Sequence, residues 1–408
     1  MVIKKWIILG ALLTIAIISL SYIRSKPHYK HEFAVCAMFK NEAPWLKEWI
    51  DYHHDILGAT HFYLYNNDST DHYQKVLLPY IEQGLVELID WKSCEENKVV
   101  DPPPCWQAAS PWDDYQAGAY NDCLKKRALG IAQWVAVIDI DEYIVPAHGA
   151  QSFCKLLKKY SEPSLRSILK KLKNPFRRRR SFGSLQLNWL VFGTSNVWDI
   201  SSTELLIEKL YLRAPEDYPA NELTKCIYRP EAIDVCCIHY GTLKKEYKVK
   251  ELPIADFRIN HYWSGPEKKL IEKRQFSKEQ LVAFAKECNV EDKTIFQSLK
   301  QMKINLFEDP GNTCYGAKIK TFKLLGDKIT DVQLLRDLIT SNFASLTEAT
   351  EVSATSDCLV VIMKRSPYER VKETFKNCVF IDYDLLCQYP AEWVEYLVKK
   401  YNLKKSRL

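Results

Sequence analysis

The sequence predicts an α/β fold built on a parallel, Rossmann-like sheet, and three observations predict it. Strand-like and helix-like patterns alternate from Phe33 to Val145, which calls for a parallel sheet with crossover helices. The strand candidates are short continuous apolar runs, as expected of strands buried on both faces. One of these runs, within Gln133 to Pro146 (QWVAVIDIDEYIVP), breaks at three carboxylates, Asp139, Asp141 and Glu142. Ligands of open α/β sheets gather at the carboxyl ends of strands. If this stretch is extended, Asp139 and Asp141 project to the same side and both face one divalent cation. The bland alternative is a strand end solvated by acids.

Taken in order, Phe33 to Phe39 (FAVCAMF) reads as the first strand and runs into Lys40, Asn41 and Glu42. A helix follows, because Pro44 suits a first turn and Trp45, Trp49, His53 and Ile56 recur with helical spacing. The second strand, His61 to Tyr65, ends in the turn-forming cluster Asn66 to Asp71 (NNDSTD). Tyr73 to Gln83 is helical, and Leu85 to Ile89 is the third strand. Periodicity is lost from Asp90 to Trp112, a loop long enough to imply function or mobility. Asp114 to Ile131 restores a helix that leads into the carboxylate-tipped strand. No GxGxxG opens the first helix, so a dinucleotide fingerprint is absent.

Beyond Pro146 the chain is basic and poorly patterned to Arg180, with helices expected at Phe153 to Tyr160 and Leu165 to Leu172. Gly183 to Phe192, Lys225 to Arg229 and Ala232 to His239 read as strands, the last ending on a histidine. After Ile259 to Gly265 (INHYWSG) comes a helix crowded with Lys268, Lys269, Lys273 and Arg274; cations there oppose the helix dipole, so a nearby anion would offset them. The run Tyr240 to Lys250 reads as flexible, able to fold over a bound ligand. Past about Phe307 a separate small α/β module is expected, with strands at Cys358 to Met363 and Cys378 to Ile381 and helices at Thr330 to Ile339, Tyr368 to Phe375 and Glu392 to Tyr401.

Composition narrows the class. The chain has 408 residues, 47% of them hydrophobic, and a formal net charge of +6. Basic residues are dispersed apart from Arg177 to Arg180, so nucleic-acid binding gains no support. Trp6 to Ile23 is almost unbroken apolar sequence between Lys4, Lys5 and Arg24, Lys26, Lys30. It is close to the minimum length for crossing a bilayer and lacks a small-x-small cleavage pattern, so residues 1–30 read as an uncleaved, single-pass anchor whose orientation the flanking charges leave open. Thirteen cysteines include no CxxC, which gives no zinc or redox motif; Cys94 and Cys105 could pair in an oxidising compartment.

With these segments in order, the chain resembles inverting glycosyltransferases of the family-2 type, and more closely the branch that includes family 92. The motifs are FAVCAMFKNEAPWLKEWIDYH, YNNDSTD with Asn66 where an Asp is usual, and Trp134 to Glu142 as a WxxxxDxDE strand. NWLVFGTS, KCIYRP with the later His239, and NHYWSGPEKKLIEK complete the series. The resemblance covers Phe33 to Arg274. It implies a GT-A fold, with a Rossmann-like nucleotide-binding half and an acceptor half within residues 31–306, leaving 307–408 as the separate module.

The resemblance implies a metal-dependent inverting transfer from a nucleotide-sugar donor to a glycan or glycolipid acceptor. It implies Mn²⁺ or Mg²⁺ held directly by Asp141, with Asp139 on the metal or the donor ribose and one histidine as a further ligand, His239 ahead of His261. Base and ribose contacts fall to Lys40, Asn41, Glu42, Asn66, Asp68 and Asp71, and diphosphate contacts to Arg127 or Lys273. A general base is required, and Asp199 and Asp256 are the carboxylates best placed along the chain. The rival readings are a nucleotidyltransferase of similar fold and a catalytically inactive, membrane-tethered glycan-binding protein.

Overall fold

The computed structural model describes residues 28–104, 106–161, 180–201, 204–299 and 302, together with four short strands beyond them. The expected anchor, the helix at Leu165 to Leu172, Cys105 and the helices of the C-terminal module lie outside the described residues. Among the described residues, no helix is long and apolar enough to cross a membrane.

The first half follows the alternation expected from sequence. Strand β1 (His31–Phe39) is followed by α1 (Ala43–Asp51), which carries Pro44 in its first turn and ends in a π-helical turn, Tyr52–Ile56. Then come β2 (His61–Asn66), α2 (Tyr73–Glu82) and β3 (Val86–Asp90). Helix α3 (Pro111–Asp122) starts three residues before the expected Asp114. Ser110 and Asp113 form a reciprocal capping box there, satisfying N–H groups that the first turn leaves without helical partners. A π-helical turn (Cys123–Arg127) closes it, and Gly130 at φ 75° turns the chain into β4 (Ala132–Val137). The long 90–112 connection is tied to α3 at several points: Trp91 Nε1 donates to the Tyr115 carbonyl at 2.9 Å, the Val99 N–H to the Asp114 carbonyl at 3.0 Å and Trp106 Nε1 to Asp114 Oδ1 at 3.0 Å. Its short turn Glu95–Asn97 sits so close to α3 that a Cβ on Gly118 would lie 2.0 Å from the Asn97 carbonyl oxygen.

Strands β3, β2, β1 and β4 are hydrogen-bonded in that order, all parallel. In β1, Phe33, Val35, Ala37 and Phe39 enter one core, while Ala34, Cys36 and Met38 enter another on the opposite face. Both faces of the strand are thus covered, and this is the physical reason its sequence is continuously apolar rather than alternating.

The stretch from Gln133 to Pro146 is two strands and not one. After β4 the chain turns, with the Glu142 N–H donating to the Asp139 carbonyl at 3.1 Å, and leaves as β5 (Glu142–Pro146) at the far edge of the sheet. Next come α4 (Ala150–Ser161), the long β6 (Ser181–Val191), a single-turn helix α5 (Leu206–Lys209), β7 (Leu212–Arg213) and β8 (Thr224–Tyr228). Strands β9 (Ile233–Cys236) and β10 (Gly241–Leu243) form a hairpin. His239 therefore lies on its connecting turn, three residues past the strand that was expected to end on it.

Strand β11 (Tyr247–Glu251) pairs in parallel with β6, and β12 (Phe257–His261) continues on the same side of β6. The complete sheet has nine strands, ordered β3-β2-β1-β4-β8-β6-β12-β5 with β11 beside β6. The run Tyr240 to Lys250, expected as a flexible cover, is thereby corrected. Much of it is strand, because alternating Tyr247 and Val249 suit a half-covered edge. Helices α6 (Glu267–Arg274) and α7 (Lys278–Glu287) and the short β13 (Val290–Glu291) follow.

Farther on, β14 (Thr321–Leu324), β15 (Leu346–Glu348), β16 (Leu359–Met363) and β17 (Cys378–Asp382) form a parallel sheet in the order β15-β14-β16-β17. The two strands expected there from sequence are β16 and β17.

Candidate active site

Strands β1, β2 and β4 are parallel, so their carboxyl ends share one edge, and the motif residues follow directly from those ends. At the end of β1, Asn41 has a left-handed backbone, φ 58°. Its side-chain oxygen accepts from the Thr70 N–H (2.7 Å) and the Asp71 N–H (3.3 Å), and its own N–H donates to Ser69 Oγ at 3.0 Å. Asp71 Oδ2 accepts from the Ala43 N–H at 2.8 Å, capping the approach to α1. Asn66 Oδ1 accepts from the Ser69 N–H, while its amide donates to Tyr73 OH and, at 3.4 Å, to Asp90 Oδ1. Asn41, Asn66 and Asp71 thus spend their side chains tying the two strand-end loops together. Asp68, at φ 52°, and Lys40 are exposed beside them.

Glu42 differs. Its Oε2 is buried with no hydrogen-bond partner, and burial raises its carboxyl above the usual range. Lys273 of α6 reaches this corner, donating to the Asn41 carbonyl at 3.1 Å with Glu42 Oε1 3.9 Å away.

The 139–142 turn sends its acids in different directions. Asp139 Oδ1 accepts from Gln116 Nε2 (2.5 Å) and Tyr120 OH (2.8 Å), both on α3, and Oδ2 accepts from Lys225 Nζ of β8 at 2.9 Å. Glu142 is fully buried; its Oε2 accepts from the Asp139 N–H at 2.9 Å and lies 3.7 Å from Lys225 Nζ. Burial pushes the Glu142 carboxyl well up, with Lys225 opposing. Asp141 faces elsewhere, with Oδ1 3.5 Å from His261 Nε2 and Oδ2 4.0 Å from Lys269 Nζ. Burial alone would raise the Asp141 carboxyl, but His261, Lys269 and Arg274 hold it well below the usual carboxylate range. The expectation that both aspartates project together assumed an extended strand; the turn at Ile138–Asp141 separates them.

Among the described residues, no group of three or more His, Cys, Asp and Glu side chains is gathered to hold a metal ion. Asp139, Asp141, His239 and His261 therefore do not converge as one ligand set. Asp141 and His261 do meet. A carboxylate oxygen and an imidazole nitrogen fit Mn²⁺, and such ions commonly take one or two protein ligands, the rest being water and substrate phosphate. Asp139 is taken up by three protein donors. His239 has Nδ1 3.3 Å from the Thr224 carbonyl, and its ring packs edge-on to Trp189, which also lies 4.0 Å from the His261 ring. Burial, with Lys225 nearby, lowers the His239 imidazole to about 4, so it is neutral at physiological pH.

Two expected residues need relocation, and a third is already engaged. Arg127 is bound by Asp122 and Glu87, just before β4 begins. It belongs to the amino edge of the sheet, opposite the site. Asp256 precedes β12 at the end paired with Pro146, whereas His261 is paired with Glu142. Five residues of strand put it about 17 Å from His261, and it is paired with His148 at 3.1 Å. Asp199 stays beside α6, since the Lys268 N–H donates to the neighbouring Trp198 carbonyl, but its carboxylate is engaged by Lys268 at 2.7 Å, which lowers it.

Sequence reasoning missed Gln116, Tyr120, Trp189 and Lys225. The one available signal was Lys225 itself, a lone cation in the buried strand TKCIY.

The model of glycosyltransferase family 92 matches residues 30–295. A family 92 protein of Ricinus communis is 26% identical over 247 residues, covering 59% of this chain and 36% of its own. One of Arabidopsis thaliana is 28% identical over 242 residues, covering 58% and 36%. The chain thus spans well under half the length of these relatives. Among solved structures, residues 1–349 of S. aureus TarS align at 12% identity, covering 67% of this chain and 70% of that one, with a TM-score of 0.29. The family match spans the strand-end loops, the 139–142 turn and α6 together, and on that evidence the chain belongs to glycosyltransferase family 92.

Proposed function

We propose that this chain transfers a sugar from a nucleotide-sugar donor to a hydroxyl of a glycan or glycolipid acceptor, with inversion at the anomeric carbon. One observation carries the reading: in a family 92 chain, Asp141 and His261 face each other 3.5 Å apart at the carboxyl edge of the sheet, with Lys269 beside them. Glycosyl transfer develops charge on the departing diphosphate, and preorganised cations are the strongest device for stabilising it. Lys269 and Lys273 stand four residues apart on one face of α6 and reach Asp141 and Glu42. They are the chain's own phosphate contacts in this reading.

A divalent cation held by Asp141 and His261 would supply further charge stabilisation to the same oxygens. Lys40, Asp68 and Asp90 are exposed at the ends of the first three strands with Glu42 half-buried beside them, and this reading assigns them to the donor's base and ribose. In this reading Asp199 is the base candidate, since its neighbour Trp198 accepts from the Lys268 N–H at the start of α6. Residues 1–30 would tether the enzyme to a membrane.

The test is a panel of nucleotide sugars with Mn²⁺ and a glycan mixture, with products analysed by proton NMR. An anomeric configuration opposite to the donor's, lost on chelation and restored by Mn²⁺, is expected; retention, or turnover indifferent to chelator, contradicts the mechanism. Pyrophosphate release would instead indicate nucleotidyl transfer.

A further inference from the structure

Lys225 presents a problem of charge that the reaction as described does not use. Its ammonium has no exposed surface, and all five residues of β8 are buried. Burying an ammonium there is unfavourable unless carboxylates oppose it. Two do: Asp139 Oδ2 at 2.9 Å and Glu142 Oε2 at 3.7 Å. The same Glu142 oxygen accepts the Asp139 N–H at 2.9 Å. Lysine, aspartate and glutamate therefore close a ring across the first and last residues of the turn. The Tyr120 ring covers the ammonium at 5.8 Å, while Tyr120 OH and Gln116 take the remaining Asp139 oxygen. Asp141, enclosed within that turn, makes none of these contacts. The other Glu142 oxygen, Oε1, is buried with no hydrogen-bond partner and is a ready ligand for any cation that entered.

We propose that Lys225 is a positioning residue for the glycosyl transfer inferred above: it is the built-in counter-ion of Asp139 and Glu142, occupying the place a cation would otherwise take between them and leaving Asp141 as the acid presented to the donor. The two aspartates are then unequal by construction. Asp139 answers to a lysine, and only Asp141 answers to a divalent cation. A methionine at 225 would keep the stem and remove the charge, so Asp139 and Glu142 would confront each other across a space that a divalent cation fills.

The test is Mn²⁺ binding to the full-length protein without donor, measured by the EPR signal of free Mn²⁺, with folding checked by circular dichroism. Asp139→Asn is expected to keep the wild-type Mn²⁺ affinity within about threefold, while Lys225→Met binds Mn²⁺ at least about tenfold more tightly. Adding Asp139→Asn to Lys225→Met should cancel the gain. A purely structural lysine would give no such gain. Lys225→Gln is read the same way should Lys225→Met fail to fold. Loss of Mn²⁺ binding in Asp139→Asn alone, or an unchanged or weaker affinity on removing Lys225, overturns the proposal. Sugar transfer is scored separately: with no turnover but this Mn²⁺ pattern, the counter-ion role of Lys225 stands and the glycosyltransferase reading falls.

Discussion

Asp139 and Asp141 lie two residues apart, yet one is enclosed by Lys225, Tyr120 and Gln116 while the other meets His261 and Lys269. The acids themselves were legible in the sequence, because three carboxylates ending an apolar run stand out. Their division of labour was not, since it depends on β8 lying antiparallel to β4 and delivering a lysine from more than eighty positions away. The histidines separate in the same way. His261 ends a strand paired with the strand that starts at Glu142, whereas His239 sits on a hairpin turn with Nδ1 near the Thr224 carbonyl. His261→Ala should therefore cut kcat at least about tenfold, and His239→Ala should change it less than about threefold. Equal losses would show that both imidazoles act at the site. Asp256→Asn, at the wrong end of β12, should leave the rate unchanged in the same assay.

Strands β1, β2 and β3 were read to within two residues because each is an apolar run closed by turn-forming residues. The break between β4 and β5 was hidden, since DIDEYIVP keeps strand-like composition through the turn, and only the Glu142 N–H to Asp139 carbonyl bond reveals it. Another hidden junction joins α1 to α5. Glu48 of α1 is buried and accepts from the Leu206 and Ile207 N–H groups at 2.8 and 3.1 Å, satisfying the start of a helix 158 positions away. Burial pushes its carboxyl from 4.5 up to about 7. A carboxyl raised in the folded state binds its proton more tightly there. Its contribution is thus complete below pH 4.5 and lost as pH rises through about 7. The loss amounts to roughly 3 kcal/mol. Urea denaturation should show the wild type losing about that much stability relative to Glu48→Gln between about pH 4.5 and 8. A constant difference across that range would contradict the assignment.

At the scale of the molecule, the family match begins at residue 30 and the first strand at His31, so the transferase unit starts where the apolar N-terminal segment ends. Removing residues 1–27 should release an active enzyme from the membrane fraction; persistence there after carbonate washing would place a membrane contact within the remaining chain. Acceptor and donor identity were not legible, because none of the motif residues is specific to one sugar, nucleotide or acceptor. The central claim is that a glycosyl donor is activated at Asp141. It is tested most directly by measuring nucleoside diphosphate release from a nucleotide-sugar panel with wild type and Asp141→Ala side by side. The account predicts release by the wild type and a loss of at least about a hundredfold in the variant, with an unchanged circular dichroism spectrum. Undiminished release by Asp141→Ala would contradict it.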